Sequence, residues 1–371
     1  MNHLRLVPDN SPADVHVNVS RSRYQDTLDT SDEDKGRRAN DGIGYRALLQ
    51  ERLLRMADLV AQMHGDGRRT CGTQPRHKLG GVRLAFRDGQ AYYQGLHVCD
   101  SKTVCPRCVR PLYRERYRDI RQTLDDVHAI GGTAVLVSLS LSFPENTGLT
   151  ERLDILAPVY STLNSRRQRL RKKLGMQGQI KAIHPLHGSH GWHAHLHVLY
   201  LFDTKLDEAQ VQELDAWESK TWARLAQAHG CVARPSLQTY TVVGPTEQDR
   251  ENVARYITKA LGEIENGGPD DEDQDEGKGK GDGAGRSKES GQTVDFECDL
   301  DAGSQSPWQL LDDAAIGSDD YARELVMEWF TTMRANRRRH WYFPWEAMAE
   351  LHRRADARRA AHRSRLVGCA A

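Results

Sequence analysis

The sequence is poor in apolar residues and has no long apolar run. Apolar side chains make up 38% of the 371 residues, below the usual content of globular proteins, so part of the chain is expected to lie outside a packed core. No run approaches the roughly 18 residues of a membrane span, and MNHLRLVPDN at the start lacks the apolar core of a signal peptide. These shortages argue against a membrane partner and predict a cytoplasmic protein with one large domain or two small ones.

Cysteine is also scarce, with 7 residues in the chain. The number is odd and four of them lie within 71–108, which in a reducing compartment favours a metal site over disulfides. Cys105 and Cys108 form a Cys-x2-Cys pair that can present two thiolates to one Zn²⁺ ion in a closed, structural site. The remaining ligands would be Cys71 and Cys99, or His77 or His97 in place of Cys71. Four unrelated buried thiols are the alternative.

The chain has no net charge, but its charges are unevenly distributed. Residues 263–307 carry 14 acidic and 4 basic side chains, whereas the rest of the chain carries 48 Lys and Arg against 38 Asp and Glu. The body is therefore basic, and one acidic segment hides this in the total. A basic body suggests a polyanionic partner.

Three histidines alternate in the apolar stretch GWHAHLHVLYLF at 191–202. The stretch is short and rich in β-branched, aromatic and aliphatic residues, which is typical of a buried strand. Alternate side chains of a strand share a face, so His193, His195 and His197 should point into one small volume. With 16 histidines in the chain, such a triplet arises by chance roughly 3% of the time. The pattern favours a metal or catalytic site over satisfied buried histidines.

Residues 131–262 contain strands and helices in the order of a split βαβ unit. This order predicts an α+β, ferredoxin-like fold, in which helices cover one face of an antiparallel sheet. The histidine strand would be central, with its imidazoles on the open face. The expected strands are 133–143, 179–187, 193–202 and 237–243, and the expected helices are 151–174, 207–229 and 246–261.

Four further regions flank this domain. Polar or acidic Gly-rich composition predicts disorder at both 1–40 and 263–307. Residues 41–130 combine an amphipathic helix, a hairpin, the cysteines as a zinc-binding region, and a basic helix at 111–128. Residues 308–371 are expected to form a basic, helical C-terminal region.

Two basic segments are candidates for nucleic-acid contact, and for the first of them a solvated charged face is the alternative. The helix that follows the cysteines and its approach carry Arg107, Arg110, Arg114, Arg116, Arg118 and Arg121. The segment RRQRLRKK is expected to bind DNA through Arg166, Arg167, Arg169, Arg171, Lys172 and Lys173.

A tyrosine and a lysine lie three residues apart near the end of the expected helix 246–261. Tyr256 and Lys259 would share one helical face, so that a phenol nucleophile would have an ammonium beside it. An amphipathic surface pair is the ordinary explanation of such a pattern. The position, just after the strand expected to pair near the histidines, favours a catalytic role.

His195-Leu196-His197 resembles the His-hydrophobic-His motif of the HUH endonucleases. The wider string WHAHLHVLYLF resembles the second motif of rolling-circle plasmid replication initiators (Rep proteins), particularly the actinobacterial plasmid type. Segments 135–143 and 252–261 are similar to their first motif and their tyrosine motif, and the four cysteines resemble their N-terminal cysteine region. The likeness spans residues 71–261, with a looser match after 307.

The resemblance implies an enzyme that nicks and rejoins plasmid origin DNA at a single-stranded or hairpin site. A tyrosine would attack a phosphodiester, become joined to the 5′ phosphate and free a 3′ hydroxyl that primes synthesis. Mg²⁺ or Mn²⁺ would sit on the histidines, and host helicase and polymerase would be partners. His195 and His197 match the motif directly. His193 is the expected third ligand, because the first-motif strand carries serines where an acid would otherwise serve.

Other interpretations remain open at this point. Some initiators of this group place the tyrosine further downstream, so Tyr342 in RRRHWYFPWEA competes with Tyr256. A zinc-containing DNA-binding protein without catalysis would use the histidines structurally. A mobilisation relaxase shares the HUH chemistry but commonly has its tyrosine ahead of the histidines. A transposase of the same superfamily is normally smaller and lacks the zinc region.

Overall fold

A computed structural model describes residues 37–63, 71–76, 81–87, 90–144, 147–234, 238–266, 304–335 and 341–368. The disorder expected at 1–36 and at 267–303 lies outside these residues. The helices are α1 (Arg37–Met63), α2 (Pro106–Ala129), α3 (Leu149–Arg166), α4 (Gln168–Leu174), α5 (Glu208–Ala228), α6 (Glu247–Ile257), α7 (Ala260–Asn266), α8 (Pro307–Ala315), α9 (Asp320–Ala335) and α10 (Trp345–Gly368). The strands are β1 (Arg83–Arg87), β2 (Gln90–Gln94), β3 (Thr133–Ser140), β4 (Met176–Gly188), β5 (Gly191–Phe202), β6 (Thr239–Val242) and β7 (Trp341–Tyr342).

The core of the described structure is a five-stranded antiparallel sheet in the order β6-β3-β5-β4-β7. The predicted mixture of helices with an antiparallel sheet is confirmed, and the histidine strand β5 is central. β3 is buried along its whole length and β5 along most of its length. Their apolar side chains therefore meet a hydrophobic layer on each face of the sheet.

Helices cover both faces of this sheet, so the expectation of one helical face and one open face is wrong. One face packs against α3 and α5, through side chains such as Val137 and Tyr200. The other face packs against α2, α6 and α10, through side chains such as Leu136 and Leu199. The sequence predicted α2 and α10 in separate flanking regions, but both helices fold back onto the sheet.

Ion pairs join the three helices of the second face. On α2, Asp125 pairs with Arg250 of α6 at 2.6 Å, and the buried Asp126 pairs with Arg359 of α10 at 2.8 Å. His352 Nδ1 of α10 lies 2.8 Å from the other oxygen of Asp126. These partners are far apart in sequence, which is why the packing of α2 against α10 could not be predicted from local pattern.

Several predicted element boundaries are shifted. α1 begins at Arg37, inside the segment expected to be disordered. α2 begins at Pro106, at a position where the missing N–H costs nothing, with Cys105 as its N-cap residue. The helix expected over 151–174 is interrupted at Arg167, which separates α3 from α4.

The ends of the acidic segment 263–307 are ordered and packed, contrary to the expectation of disorder throughout. Ile264 on α7 and Trp308 on α8 are buried in the same core. Arg52 of α1 donates to the backbone oxygens of Glu263 and Ile264 and pairs with Asp312 at 2.6 Å. The two borders of the segment thus meet at one place on the core.

None of the helices that the structure describes combines the length and the apolarity needed to cross a membrane.

Candidate metal and tyrosine site

Three imidazoles converge on the face of the sheet covered by α2 and α6. They belong to His184, His195 and His197, whose ligating nitrogens all lie within 4.8 Å of one another. His195 Nε2 lies 3.0 Å from His197 Nε2 and 3.3 Å from His184 Nδ1. Nitrogen atoms this close together can coordinate one metal ion.

His184 comes from β4 and was not among the predicted ligands. The hairpin between β4 and β5 closes with Gly188 opposite Gly191, and this register sets His184 directly opposite His195. The position of His184 could have been predicted from sequence, since a hairpin that turns at 188–191 sets His184 opposite His195. The predicted third histidine, His193, lies on β5, whereas His184 lies on the neighbouring strand β4.

His193 lies outside the three-histidine group in the structure. It is half-buried on β5, and its ring centroid is 5.4 Å from that of His195. It shares a strand face with His195 and His197, as predicted, but it lies at the end of the row away from His197. His184, and not His193, is the third residue of the described group that could bind a metal.

His195 and His197 are buried, each with 1% of its surface exposed, and do not lie on an open face as expected. Burial lowers the pKa of His197 to about 3, and the positive charge of Lys259 acts in the same direction. Burial, followed by the charges of His197 and His193, lowers the pKa of His195 well below its usual value. Both rings are therefore neutral near pH 7, which is the form that binds metals.

A small cavity lies beside His184, whereas His195 and His197 are not among the described residues that line it. It measures about 20 Å³ and is lined by His184, Tyr113, Glu263 and Trp308 among others. That volume is enough for one water-sized group.

Ser138 of β3 orients the ring of His197. Its hydroxyl lies 3.1 Å from His197 Nδ1.

Tyr256 lies directly against the histidine group. Its ring centroid is 4.8 Å from that of His197, in an edge-to-face arrangement. The Nζ atom of Lys259 lies 5.9 Å from the centre of the Tyr256 ring. The pair lies at the end of α6, where Thr258 is the C-cap residue and its hydroxyl donates to the carbonyl oxygen of Ala254 at 2.7 Å. The helix expected over 246–261 ends at Ile257, but Tyr256 and Lys259 still lie close together.

Tyr342 lies elsewhere on the sheet. It is on the edge strand β7, opposite Lys181 of β4, and is 44% exposed. Lys181 points to the α3 face, where its Nζ atom lies 5.3 Å from the ring centre of Tyr160. Since His184 is three residues along the same strand, it points to the opposite face. Tyr342 is therefore on the face away from the histidine group.

The four predicted cysteines form a second group. The Sγ atoms of Cys71, Cys99, Cys105 and Cys108 all lie within 4.8 Å of one another. Cys71 Sγ and Cys99 Sγ are each 3.5 Å from Cys108 Sγ. This exceeds a disulfide bond of about 2.05 Å and is close to the roughly 3.8 Å between thiolates around a tetrahedral Zn²⁺. The group could bind a metal; His97 lies outside it, and His77 is not among the described residues.

The four thiols lie together at the start of α2. Hydrogen bonding to Cys108, Cys71 and Cys99 raises the pKa of Cys105 above its usual value. Cys105 is the N-cap of α2 and Cys108 lies in its first turn, where the positive end of the helix dipole favours a thiolate. The same helix that packs over the histidines thus begins at the cysteine group.

No family model, no curated protein and no solved structure matches this chain.

The predicted DNA-binding segment 166–173 is less uniform than its sequence suggests. Arg166, Arg169 and Lys172 are exposed, whereas Lys173 pairs with Glu213 at 2.5 Å. Arg171 is half-buried and donates to the carbonyl oxygens of Met176 and Gln177. The segment packs on the α3 face of the sheet, opposite the histidine group.

Arg167 is a structural residue, so its predicted contact with DNA is wrong. It is buried with 1% exposure and forms an ion pair with Glu218 of α5. Its guanidinium also donates to Gln179 Oε1 at 2.9 Å and lies 4.5 Å from the ring centre of Tyr200. A buried cation needs such partners, and they are spread over three distant elements.

Proposed function

We propose that this chain nicks and rejoins DNA as a rolling-circle replication initiator, with Tyr256 as the nucleophile. The observation that carries the proposal is the contact of Tyr256 with His197, beside three converging imidazoles. The strand order β6-β3-β5-β4 is the order expected for the split βαβ sheet of the HUH endonucleases, and it supports the same assignment. Cytoplasmic plasmid origin DNA would be the substrate.

Tyr256 and Lys259 would supply the covalent step. The phenol oxygen would attack the phosphorus of a phosphodiester, forming the tyrosine–phosphate bond while the bond to the 3′ oxygen breaks. The proton lost by the phenol balances the one gained by the 3′ oxygen. The Lys259 ammonium, held near the ring, would favour the negative charge that develops on the phenol oxygen. The freed 3′ hydroxyl could prime synthesis, and its return attack would rejoin the strand.

The three imidazoles fit a divalent ion. A Mg²⁺ or Mn²⁺ ion held there would act as a Lewis acid on a phosphate oxygen. Three neutral nitrogen donors suit Mn²⁺ better than Mg²⁺, which prefers oxygen ligands and retains several waters. His184, His195 and His197 would supply three of the six ligands of an octahedral ion, so the remaining positions would be available to substrate oxygens.

The four cysteines fit Zn²⁺ in a closed site with a structural role. We expect the purified protein to contain about one zinc per chain, and Cys108→Ser to lose it, because three thiolates hold zinc far less tightly than four. Elemental analysis measures the zinc content, and hydrogen exchange of the first turns of α2 measures its structural effect. Cys231→Ser is the control, since this buried thiol lies outside the group. Full zinc content in the Cys108 variant would contradict the assignment.

The test of the function itself is the formation of a covalent adduct. Purified protein is incubated with Mn²⁺ and single-stranded oligonucleotides tiled across the replicon that carries its gene. We expect an adduct that persists in a denaturing gel, with DNA of one sequence attached to the peptide containing Tyr256. Peptide mapping by mass spectrometry identifies the attached residue.

A non-catalytic, zinc-containing DNA-binding protein is the second candidate. The burial of His195 and His197, with only a small cavity beside His184, favours it. This function predicts that DNA is retarded in a native gel but that no divalent ion produces cleavage or an adduct. That combination of results would replace the first proposal with the second.

A further inference from the structure

The cavity beside His184 brings together polar side chains from separate parts of the chain. It measures about 20 Å³. Besides His184 from β4, its lining includes Glu263 from α7, Trp329 from α9 and Ser306, the N-cap residue of α8. A cavity of this size holds one water molecule when its walls offer two to four hydrogen-bonding groups. The cavity therefore meets the size and polarity requirements of an internal water site.

Trp329 supplies a hydrogen-bond donor to this cavity. The residue is 1% exposed, and its Nε1 atom is buried without a hydrogen-bond partner among the described residues. Its ring packs edge-to-face against that of Trp308, with 5.1 Å between the ring centroids, and both residues line the cavity. A buried N–H group that has lost its hydrogen bond to water is costly, so such groups are nearly always given an acceptor. The oxygen of a water molecule in the cavity would be that acceptor.

His184 has a second ring nitrogen besides the one that faces the other histidines. Its Nδ1 atom lies 3.3 Å from His195 Nε2 and so belongs to the converging group. Its Nε2 atom lies across the five-membered ring and is buried. A histidine that binds a metal through one nitrogen usually donates its other N–H to a carboxylate, a carbonyl or a water, and this bond fixes the ring and its tautomer. Because His184 lines the cavity, a water held there could accept that bond.

Glu263 supplies an acceptor on the same cavity. Its Oε2 atom is buried. The backbone that carries it is fixed, since Arg52 donates to the carbonyl oxygens of Glu263 at 3.2 Å and of Ile264 at 3.0 Å. Glu263 also follows Tyr256 and Lys259 by only seven and four residues. One short segment therefore carries the proposed nucleophile, its cation and a carboxyl group beside the third histidine.

We propose that Glu263 and Trp329 hold one water molecule in this cavity, and that this water orients His184 as a metal ligand. The water would accept hydrogen bonds from Trp329 Nε1 and His184 Nε2 and donate one to the carboxyl group of Glu263. Three hydrogen bonds are typical of a buried water. Glu263 is thereby a positioning residue, which acts on the metal through His184. The inference rests on the proposed function, in which His184 is a metal ligand.

The first test reads the tautomer of His184 in the metal-free, full-length protein. Nitrogen-15 NMR of the histidine rings, in mildly alkaline buffer, shows which ring nitrogen carries the proton, and the signals of His184 are identified by their loss in His184→Ala. We expect wild type to carry the proton on Nε2, the nitrogen that donates to the water. Glu263→Leu should lose this preference, because the acceptor that orders the water is gone. A proton on Nδ1 in wild type, or a wild-type tautomer in Glu263→Leu, would overturn the inference.

The second test measures Mn²⁺ affinity by calorimetric titration. We expect Glu263→Leu to bind at least about tenfold more weakly, since residues that support a metal ligand contribute 10- to 100-fold. Trp329→Phe, which removes the indole donor, should weaken binding in the same direction. Glu263→Gln keeps an acceptor oxygen and should recover most of the affinity. Thermal melting checks that each variant folds, and the glutamine variant keeps the size of the native side chain if the leucine variant does not fold.

Glu251→Leu is the matched control. Glu251 also lies on a helix close to Tyr256, but it pairs with Arg255 at 2.8 Å and is not among the described residues that line the cavity. Its Mn²⁺ affinity should stay within about twofold of wild type, as for surface substitutions remote from a site. Equal losses in Glu251→Leu and Glu263→Leu would show a general effect of removing a carboxylate and would overturn the role given to Glu263.

The outcomes for the water site and for the proposed function are separable. If Glu263→Leu binds Mn²⁺ like wild type while wild type forms the covalent adduct, the water site is wrong and the function stands. If the tautomer and the Mn²⁺ affinity both depend on Glu263 but no divalent ion produces an adduct, the water site stands and the catalytic function fails. Wild type that binds no divalent ion would overturn both.

Discussion

Tyr256→Phe is expected to abolish the covalent DNA adduct, lowering its rate of formation at least about 10⁴-fold, as loss of a catalytic nucleophile does in other enzymes. The substitution removes the attacking oxygen but keeps the ring that packs at 4.8 Å against His197. DNA affinity and thermal stability should therefore remain near wild type. The adduct is measured in a denaturing gel with Mn²⁺, and DNA binding is measured by anisotropy.

Tyr342→Phe is the matched control, since it removes the same atom from the other candidate. Tyr342 is 44% exposed on the edge strand, on the face away from the histidine group. We expect its adduct formation to stay within about twofold of wild type, as for surface substitutions remote from a site. Loss of the adduct in Tyr342→Phe, with Tyr256→Phe still active, would show that the nucleophile is assigned to the wrong tyrosine.

His184→Ala is expected to weaken Mn²⁺ binding at least about 100-fold, because even residues that only support a metal ligand contribute 10- to 100-fold. Adduct formation at limiting Mn²⁺ should fall on the order of 1000-fold, since the metal and its orientation are both lost. The reason is geometric: His184 Nδ1 lies 3.3 Å from His195 Nε2, in the group of three converging nitrogens. Calorimetric titration with Mn²⁺ gives the affinity.

His193→Ala distinguishes between two possible ligand sets: the group with His184 that the structure brings together, and the group with His193 predicted from sequence. His193 lies on the same strand face as His195, but it is outside the converging group. We expect Mn²⁺ affinity within about threefold of wild type. If His193→Ala loses the metal and His184→Ala retains it, the ligands are those of a single strand and the observed hairpin geometry does not describe the metal-bound site.

Much of the fold followed from local pattern. The strand β5 was predictable because an apolar run with alternating histidines is compatible with few other structures. The turn between β4 and β5 was predictable from its glycines, and Gly191 has the positive φ that such a turn requires. The second helical layer was not predictable, because it depends on Asp126 meeting residues of α10.

The candidate site was predictable in part, where local residue spacing sets the arrangement. His195 and His197 are two residues apart, and Tyr256 is three residues from Lys259, so each pair could be inferred from spacing. The contact between the histidine pair and the Tyr256–Lys259 pair could not be inferred from spacing, since it depends on how α6 packs against the sheet. For Arg167 the local pattern was misleading. A cation within a basic run was expected to be exposed, and the ion pair with Glu218 that allows its burial could not be inferred from sequence.

By itself, the sequence determined the alternation that sets two histidines on one face, the cysteine spacing that presents thiolates at the start of α2, and the basic character of the body. The tertiary structure decided which third histidine joins the pair, which tyrosine contacts it and which side chains line the cavity beside His184. The physical reason is that strand and helix periodicity act over a few residues. The choice among distant partners is made by burial of both sheet faces and by the pairing of buried charges.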